Sequence, residues 1–168
     1  VYIHIIYAFQ LLLCKYNSSL FMVPKQYRPD YFPHWTEVSV RFNDMDSLSH
    51  VNNALFNSYF EEARIQVLQE IPEWIEDLER KRSFVLRKST IEYLAPILYP
   101  DTLLIGSGLL RVDAARVYAL QAVYSSNTNR LCSTAETMGI WFDLQAQRPT
   151  RTPASDVLSN YLLSSNPS

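Results

Sequence analysis

The chain has 168 residues, 48% of them hydrophobic, which is enough for one domain with a sizeable core. A net charge of -2 provides no basic face for nucleic acid, and the three glycines form neither a G-x-G-x-x-G motif nor a P-loop for nucleotide phosphates. The two cysteines, Cys14 and Cys132, form no C-x-x-C pair, so neither a disulfide framework nor a zinc site is indicated. We therefore expect a protein of a reducing compartment, the cytoplasm, that needs no cofactor.

The first segment, residues 1–13, is strongly apolar but too short to span a bilayer, and no lysine or arginine precedes it as in a signal peptide. We expect residues 1–30 to form an N-terminal extension. Its first 21 residues are then translated upstream sequence or a poorly packed segment, and the alternative is a membrane-associating anchor. The expected domain covers residues 31–146, and a tail rich in Pro, Ser, Thr and Asn follows at 147–168.

A half-buried strand followed by a long helix is the first predicted unit of the domain. Val38, Val40 and Phe42 alternate with polar residues, which is the period of a strand. Residues 54–69 carry an apolar stripe with helical spacings of four, three and four, formed by Phe56, Phe60, Ala63 and Val67. On the opposite side, Glu61 and Arg64 are expected to face solvent and to pair there.

After a break at Ile71-Pro72, a second short helix is predicted at 73–81. Segments rich in β-branched and aromatic residues then predict four strands, at 83–94, 103–112, 116–125 and 131–143. Short turns at 113–115 and 126–129 suit hairpins, so the last three strands should pair antiparallel in sequence order. The sequence Gly106-Ser107-Gly108 inside a strand indicates a bulge or a close backbone approach, and we favour the bulge over a ligand-contact role.

A helix with one apolar stripe and a sheet with one apolar face bury each other most economically if the sheet wraps around the helix. We therefore predict an α+β fold, an antiparallel sheet around a long central helix. The junction between the first strand and this helix concentrates carboxylates, with D-x-D-x-x-S-H-V-N-N at residues 44–53. Unpaired N–H groups and the positive end of the helix dipole lie at the same place, so a polarised carbonyl and a carboxylate can meet there.

This motif, together with Y-F-E-E-A-R at 59–64, resembles the signature of hotdog-fold acyl-CoA thioesterases of the 4-hydroxybenzoyl-CoA thioesterase type. The resemblance covers residues 35–143 and includes K-S-T-I-E at 88–92 and Y-P-D-T at 99–102. One departure is Ser49, where the family usually has glycine, a residue that tolerates positive φ. The resemblance implies a hotdog fold, hydrolysis of an acyl-CoA, and a homodimer or homotetramer with the active site at the subunit interface.

By this resemblance Asp46 is the catalytic carboxylate, as general base or nucleophile, and the helix-start amide near Asn53 polarises the carbonyl. His50 positions water, binds the substrate carbonyl or packs at the helix entry. Asp44 is expected to order the loop. Asn52 and Asn53 both suit N-capping of the helix, and Asn52 is also assigned to substrate binding.

Four further residues are expected at the edge of the site. Glu62 either approaches the substrate of a neighbouring subunit or forms a salt bridge. Tyr59, Arg87 and Lys88 are assigned to substrate binding, with Arg87 and Lys88 among the candidates for meeting CoA phosphates.

Three alternatives stay open at this stage. Asp44, Asp46 and His50 can ligate a divalent cation, although too few ligands are evident for a metal site. A non-catalytic hotdog module would bind acyl-CoA without a working carboxylate. A hotdog hydratase or dehydratase would need a histidine and a carboxylate over an enoyl thioester, and only His50 is placed for that role.

Overall fold

A computed structural model describes residues 24–163 of the chain. Within them lie two α-helices, α1 (Asn53–Gln69) and α2 (Pro72–Glu79), and six strands. The strands are β1 (His34–Ser39), β2 (Arg82–Tyr93), β3 (Thr102–Asp113), β4 (Arg116–Ser125), β5 (Leu131–Asp143) and β6 (Arg148–Pro149). The predictions for the apolar first segment and for the last five residues lie outside the described residues.

The strands form one antiparallel sheet in the order β1-β3-β4-β5-β2, with the short β6 beside β5. The bounds of α1 and of the four predicted long strands agree with the sequence-based expectation to within one residue at each end. The predicted antiparallel pairing of β3, β4 and β5 is confirmed. The 12-residue β2 and the six-residue β1 are the two edges of this order.

The apolar stripe of α1 is buried against the curled sheet, as predicted. The core joins it to side chains of the three central strands, among them Leu103, Ile105, Val123 and Ala135. Phe60 has no exposed surface, and burial of such a side chain stabilises the fold by roughly 1.5–3 kcal/mol. The α+β hotdog architecture is therefore confirmed, with α1 held in one orientation by its buried stripe.

The predicted strand path through Phe42 is wrong. β1 ends at Ser39, and Phe42 begins a 3₁₀ turn, Phe42–Asp44, with 72% of its surface exposed. The turn forms because the Asp44 carboxylate accepts the backbone N–H of Arg41 at 2.8 Å, a local bond that competes with continued strand pairing.

The solvent-facing position predicted for Arg64 is also wrong. Its side chain is partly buried, and its NH1 group donates to Oε1 of Gln121 on β4 at 3.2 Å. Within residues 24–163 no ion pair joins it to Glu61. The sheet curls far enough around α1 to cover this flank of the helix as well.

The bulge favoured at Gly106–Gly108 is wrong too, because the β3–β4 register runs unbroken from Leu103 to Leu109 and shifts only after it. The close approach is confirmed instead. A Cβ on Gly106 would lie 2.6 Å from the ring of Phe32, and one on Gly108 would collide with Leu163. These glycines make room for segments that flank the sheet.

Residues on both sides of the predicted domain bounds pack on the outer face of the sheet. Tyr27 and Phe32 precede β1, and Leu163 follows a 3₁₀ helix, Asp156–Tyr161. All three are buried in one cluster with Leu120 and Ala122 of β4. The domain bounds 31–146 stay a prediction.

Candidate active site

The junction between β1 and α1 is a closed hairpin. Met45 and Val51 form an isolated antiparallel bridge, and the N–H of Asp46 donates to the carbonyl of His50 at 2.7 Å. The N–H of Val51 donates to the carbonyl of Ile97 at 2.9 Å, which ties the hairpin to the segment between β2 and β3. Asp46 and His50 thus occupy opposing positions directly before the helix.

The Asp46 carboxylate is held by its own loop. Its Oδ1 accepts the N–H of Leu48 at 2.8 Å and the N–H of His50 at 3.3 Å. From the described residues no donor reaches Oδ2, and the side chain is partly exposed. One oxygen is therefore fixed and the other is open, an arrangement that suits a general base or a nucleophile.

Ser49 closes the hairpin in a left-handed conformation. Its φ is 60°, and its N–H donates to the carbonyl of Asp46 at 3.1 Å. Glycine adopts this conformation at little steric cost, whereas serine is strained in it. The strain is confined to the loop that carries Asp46.

Asp44 has a different role from Asp46. It is 3% exposed, and its Oδ2 accepts the hydroxyl of Tyr59 at 2.6 Å and the backbone N–H of Arg41 at 2.8 Å. Burial alone would raise the pKa of this carboxyl. The bonds from Tyr59 and from the backbone and guanidinium of Arg41 outweigh it and hold the pKa below its ordinary value. Asp44 orders the loop, as predicted.

Tyr59, assigned from the sequence to substrate binding, has its hydroxyl committed to Asp44. It is 3% exposed, and burial followed by the bond to Asp44 raises its pKa. The carbonyl of Asp44 accepts the N–H of Asn52 at 2.8 Å. Tyr59 therefore supports the start of the helix through Asp44.

The first turn of α1 leaves one N–H uncommitted. The Asn52 side chain accepts the N–H of Ala54 at 3.0 Å, which confirms the predicted cap, and the Asn52 carbonyl accepts the N–H of Leu55 at 2.9 Å. Among residues 24–163, no group accepts the N–H of Asn53. This N–H lies at the positive end of the helix dipole, where a carbonyl oxygen gains most from a donor.

An apolar rim adjoins this site, a feature the sequence analysis missed. The hydroxyl of Tyr93 donates to the carbonyl of Asn53 at 3.2 Å. The rings of Phe42 and Tyr99 meet edge to face with centroids 5.7 Å apart. Its signal in the sequence is an aromatic residue just before the motif and a group of aromatic and leucine residues at 93–99, at the end of β2 and in the segment that follows it. The rim residues are exposed to between 44% and 72%: Phe42, Tyr93, Leu94, Leu98 and Tyr99.

The structure does not bring Glu62, Arg87 and Lys88 to the helix start of the same chain. Glu62 is exposed nine residues after Asn53, about 14 Å along the helix axis, and no ion pair within the described chain involves it. Arg87 and Lys88 are exposed on the edge strand β2, at a register shift after Leu86.

Neither a metal-binding cluster nor a membrane-spanning helix occurs in the described part of the chain. It contains no group of three or more His, Cys, Asp or Glu side chains arranged to hold a metal ion. None of its helices combines the length and apolarity that crossing a membrane requires.

Comparison with known proteins adds three findings. The profile of the thioesterase-like superfamily matches residues 40–160. The Escherichia coli acyl-CoA thioester hydrolase YbgC is 28% identical over 121 residues, 71% of this chain and 90% of that protein. A crystal structure of a Thermus thermophilus thioesterase complexed with coenzyme A and Zn is 33% identical, with a TM-score of 0.63, and covers 74% of this chain and 94% of its own.

Plant relatives are matched as well. An Arabidopsis thaliana protein named acyl-acyl carrier protein thioesterase ATL3, chloroplastic, is 24% identical over 123 residues, 73% of this chain. The match spans 64% of the length of that plant protein.

Proposed function

Because this chain belongs to the thioesterase-like superfamily, we propose that it hydrolyses an acyl-CoA to the free carboxylic acid and CoA. One observation carries the proposal: a carboxylate with an open oxygen, Asp46, directly precedes a helix whose first N–H, that of Asn53, has no acceptor within residues 24–163. The names of the bacterial and plant relatives support acyl thioesters as the substrate class.

The chemistry follows from these two groups. The Asn53 N–H, with the positive helix end behind it, donates to the thioester oxygen and stabilises the negative charge that develops there. Asp46 then either removes a proton from the attacking water or attacks the carbonyl carbon itself. In both routes the C–S bond breaks, the thiolate of CoA leaves and is protonated, and water supplies the new oxygen of the acid or of the regenerated carboxylate.

The remaining loop residues position the reacting groups. The His50 N–H fixes Oδ1 of Asp46 at 3.3 Å, so Oδ2 is the oxygen that acts. His50 is partly exposed, and its imidazole orients the water or the carbonyl. Asp44 and Tyr59 are buried beneath the hairpin and hold it through their hydrogen bond to each other and through the bond from Asn52 to Asp44. In this proposal they do not contact the substrate.

A second copy of the chain completes the proposed site. The edge strand β2 is 12 residues long and largely exposed, so it offers a free edge for pairing. The exposed apolar rim next to the helix start suits the same contact or the acyl chain. In a homodimer or homotetramer, Glu62 of a neighbouring subunit reaches the substrate, and Arg87 and Lys88 meet the CoA phosphates.

Replacement of Asp46 by asparagine tests the proposed function. D46N keeps the shape and the loop bonds to Oδ1, so it should fold like the wild type and lose about 10²–10⁴-fold in kcat, the range for a positioned proton acceptor. E61Q, which neutralises an exposed carboxylate on α1, is the matched control and should keep full turnover. Thiol release from a panel of acyl-CoAs gives the rates. Equal turnover by D46N and the wild type would contradict the proposal, and binding without hydrolysis would favour a non-catalytic module.

A single turnover in ¹⁸O-labelled water separates the two roles of Asp46. If Asp46 is the base, the label enters the product acid directly. If it is the nucleophile, an acyl anhydride forms on Asp46, and water attack at its aspartyl carbon puts the label in the protein. Label in the peptide that contains residue 46, detected by mass spectrometry, establishes the nucleophilic route, whereas label in the acid alone fits the base route or water attack at the acyl carbon of the anhydride.

Mixing two inactive variants tests whether Glu62 acts from a neighbouring subunit. In a homodimer, D46N mixed with E62Q produces hybrid dimers in which one of the two sites has both native carboxylates. Random exchange then restores about a quarter of wild-type turnover per chain, as expected for a symmetric dimer. If E62Q alone keeps full activity, or if mixing restores none, the proposed role of Glu62 is wrong.

A further inference from the structure

Residues 150–163 form a strap over the end of α1 that lies away from the candidate active site. The strap contains the 3₁₀ helix Asp156–Tyr161 and covers a buried cluster that includes Trp74 and Trp141. Three of its side chains pack on this cluster and stay partly exposed: Val157, Leu158 and Tyr161. Because half-buried side chains gain only part of the stabilisation of full burial, the polar contacts of the strap decide how firmly it is held.

Glu70, at the C-terminal end of α1, holds the last residue of the 3₁₀ helix. Its Oε2 accepts the hydroxyl of Tyr161 at 2.7 Å, and its Oε1 accepts Nε2–H of His34 at 3.1 Å. His34 is the first residue of β1, and its ring lies next to that of Tyr161 with centroids 6.2 Å apart. A single carboxylate therefore joins the strap to both the long helix and the first strand.

Glu73, in the first turn of α2, acts at the other end of the 3₁₀ helix. The Ser155 side chain caps this helix by accepting the N–H of Val157 at 3.3 Å, and its hydroxyl donates to Glu73. Two carboxylates thus bracket the 3₁₀ helix. Within residues 24–163, His34 is the only basic group within ion-pair distance of either Glu70 or Glu73.

The closed strap leaves buried polar atoms without partners. Within residues 24–163, six buried side-chain nitrogen or oxygen atoms lack a hydrogen-bond partner. Three of them lie at the strap and its fastenings: Nδ1 of His34, Oε2 of Glu73 and Oγ1 of Thr152. A buried polar atom without a partner costs free energy that contact with water recovers. Opening of the strap hydrates these atoms, which offsets part of the apolar contact that is lost.

We propose that acid releases the strap by neutralising Glu70 and Glu73, and that its release uncovers Trp74 and Trp141. An ionised carboxylate accepts a hydrogen bond more strongly than a neutral carboxyl group does, so protonation weakens both fastenings. Protonation of His34 has the opposite effect, because it adds a charge to the bond with Glu70. The two carboxylates are therefore the groups through which acid opens the strap.

The directions of the pKa shifts define the pH range of release. The Tyr161 hydroxyl, together with His34, holds the pKa of Glu70 below its ordinary value of 4.5 against the opposing effect of burial. The Ser155 hydroxyl likewise holds the pKa of Glu73 below that value. Such groups contribute stability above their ordinary pKa and lose it as pH falls through the folded-state pKa. The strap should be closed at neutral pH and should open below about pH 4.5.

The strap is separate from the helix start. Glu70 lies 17 residues after Asn53, about 26 Å along the axis of α1. Release of the strap involves neither Asp46 nor the Asn53 N–H, so it does not rest on the proposed function.

Hydrogen exchange of the full chain at pH 7, followed by mass spectrometry, tests the fastenings without acid. E70Q/E73Q has neutral side chains with the shape of protonated glutamates, so residues 150–163 should exchange about tenfold faster than in the wild type. Peptides from β4 and β5 should exchange as in the wild type. E61Q/E79Q neutralises two exposed carboxylates on the same two helices and should leave the strap protected. Unchanged exchange of the strap in E70Q/E73Q, or an equal increase in E61Q/E79Q, would overturn the proposal.

Acrylamide quenching of tryptophan fluorescence tests release by acid. W35F retains only the two tryptophans beneath the strap, which are at most 3% exposed, and their quenching should rise about threefold below about pH 4.5. The far-UV circular dichroism should not change, because the sheet stays folded. W35F/Y161F, which lacks one hydroxyl donor but keeps both carboxylates, should show raised quenching already at pH 7. Quenching that rises only with loss of the circular dichroism signal, or that W35F/Y161F leaves unchanged at pH 7, would contradict release of the strap.

Discussion

The two ends of α1 carry polar groups that are positioned in different ways. At its start, Asp46 and the Asn53 N–H are placed by hydrogen bonds within one short hairpin. In its second half, Arg64 is placed by Gln121, which lies 57 residues later in the chain. The first arrangement depends on local sequence, and the second exists only because the sheet curls over the helix. Substitutions at the helix start should therefore act through single hydrogen bonds, which makes their effects easy to separate.

After loss of the Asp46 carboxylate, the largest expected effect comes from removing the Asn53 N–H. Proline is tolerated at the first helical position, and Asn52, with φ -60° and ψ 130°, already has the extended conformation that proline requires before it. N53P should therefore fold and lose about 10²–10³-fold in kcat, the cost of one donor to a developing oxyanion. N53A keeps the amide and should retain near wild-type turnover. Equal rates for N53P and N53A would show that this N–H does not act on the carbonyl.

Next in size is the loss of the hydroxyl beneath the hairpin. Y59F removes a buried donor to the charged Asp44, which should lower the free energy of unfolding by about 2 kcal/mol. Y93F removes an exposed hydroxyl from the other side of the helix start, and its effect should stay within about 0.5 kcal/mol. Urea unfolding of both variants measures the contrast. Equal stabilities would mean that burial of Asp44 does not strengthen its bond to Tyr59.

The stability difference between wild type and Y59F should depend on pH. The folded-state pKa of Asp44 lies below its ordinary value of 3.8, so its contribution is present above that value and is lost as pH falls through the folded pKa. Removal of the Tyr59 hydroxyl raises that folded pKa. The difference in unfolding free energy between wild type and Y59F should therefore be largest near neutral pH and should become smaller below about pH 4. Unfolding free energies from pH 7 to about pH 3 provide the test, and a gap that stays constant would contradict it.

The smallest expected effect is relief of backbone strain in the Asp46 loop. S49G should stabilise the protein by about 0.5 kcal/mol, because the relief at φ 60° exceeds the extra entropy of an unfolded glycine. K81G, at another residue with φ 60° but far along the chain from the hairpin, is the matched control and should gain a similar amount. Thermal unfolding measures both. A loss of stability in S49G alone would show that the Ser49 side chain has a role in the loop.

Much of the candidate site could be predicted from the sequence because its geometry is local. The cap by Asn52, the loop-ordering bonds of Asp44 and the positive φ at Ser49 each depend on residues within a few positions of one another. The sequence could not predict which hydrogen-bond partners the long side chains of α1 would meet. The Tyr59 side chain, predicted to meet the substrate, contacts Asp44, and the Arg64 side chain, predicted to face solvent, contacts Gln121. Helical spacing indicates which side chains share a face, but not how far a neighbouring layer extends over that face.

The sequence by itself determined the bounds of α1 and of the four long strands, the pairing of the last three strands and the position of the carboxylate motif before the helix. Periodicity, turn chemistry and capping act over a few residues, so a single chain segment contains their full signal. Only the tertiary structure decided that Phe42 and its neighbours form an exposed rim, and that Arg64 on the second half of α1 donates to Gln121 of β4. Those features depend on the curvature of the sheet, which sums small twists over many residues of several strands.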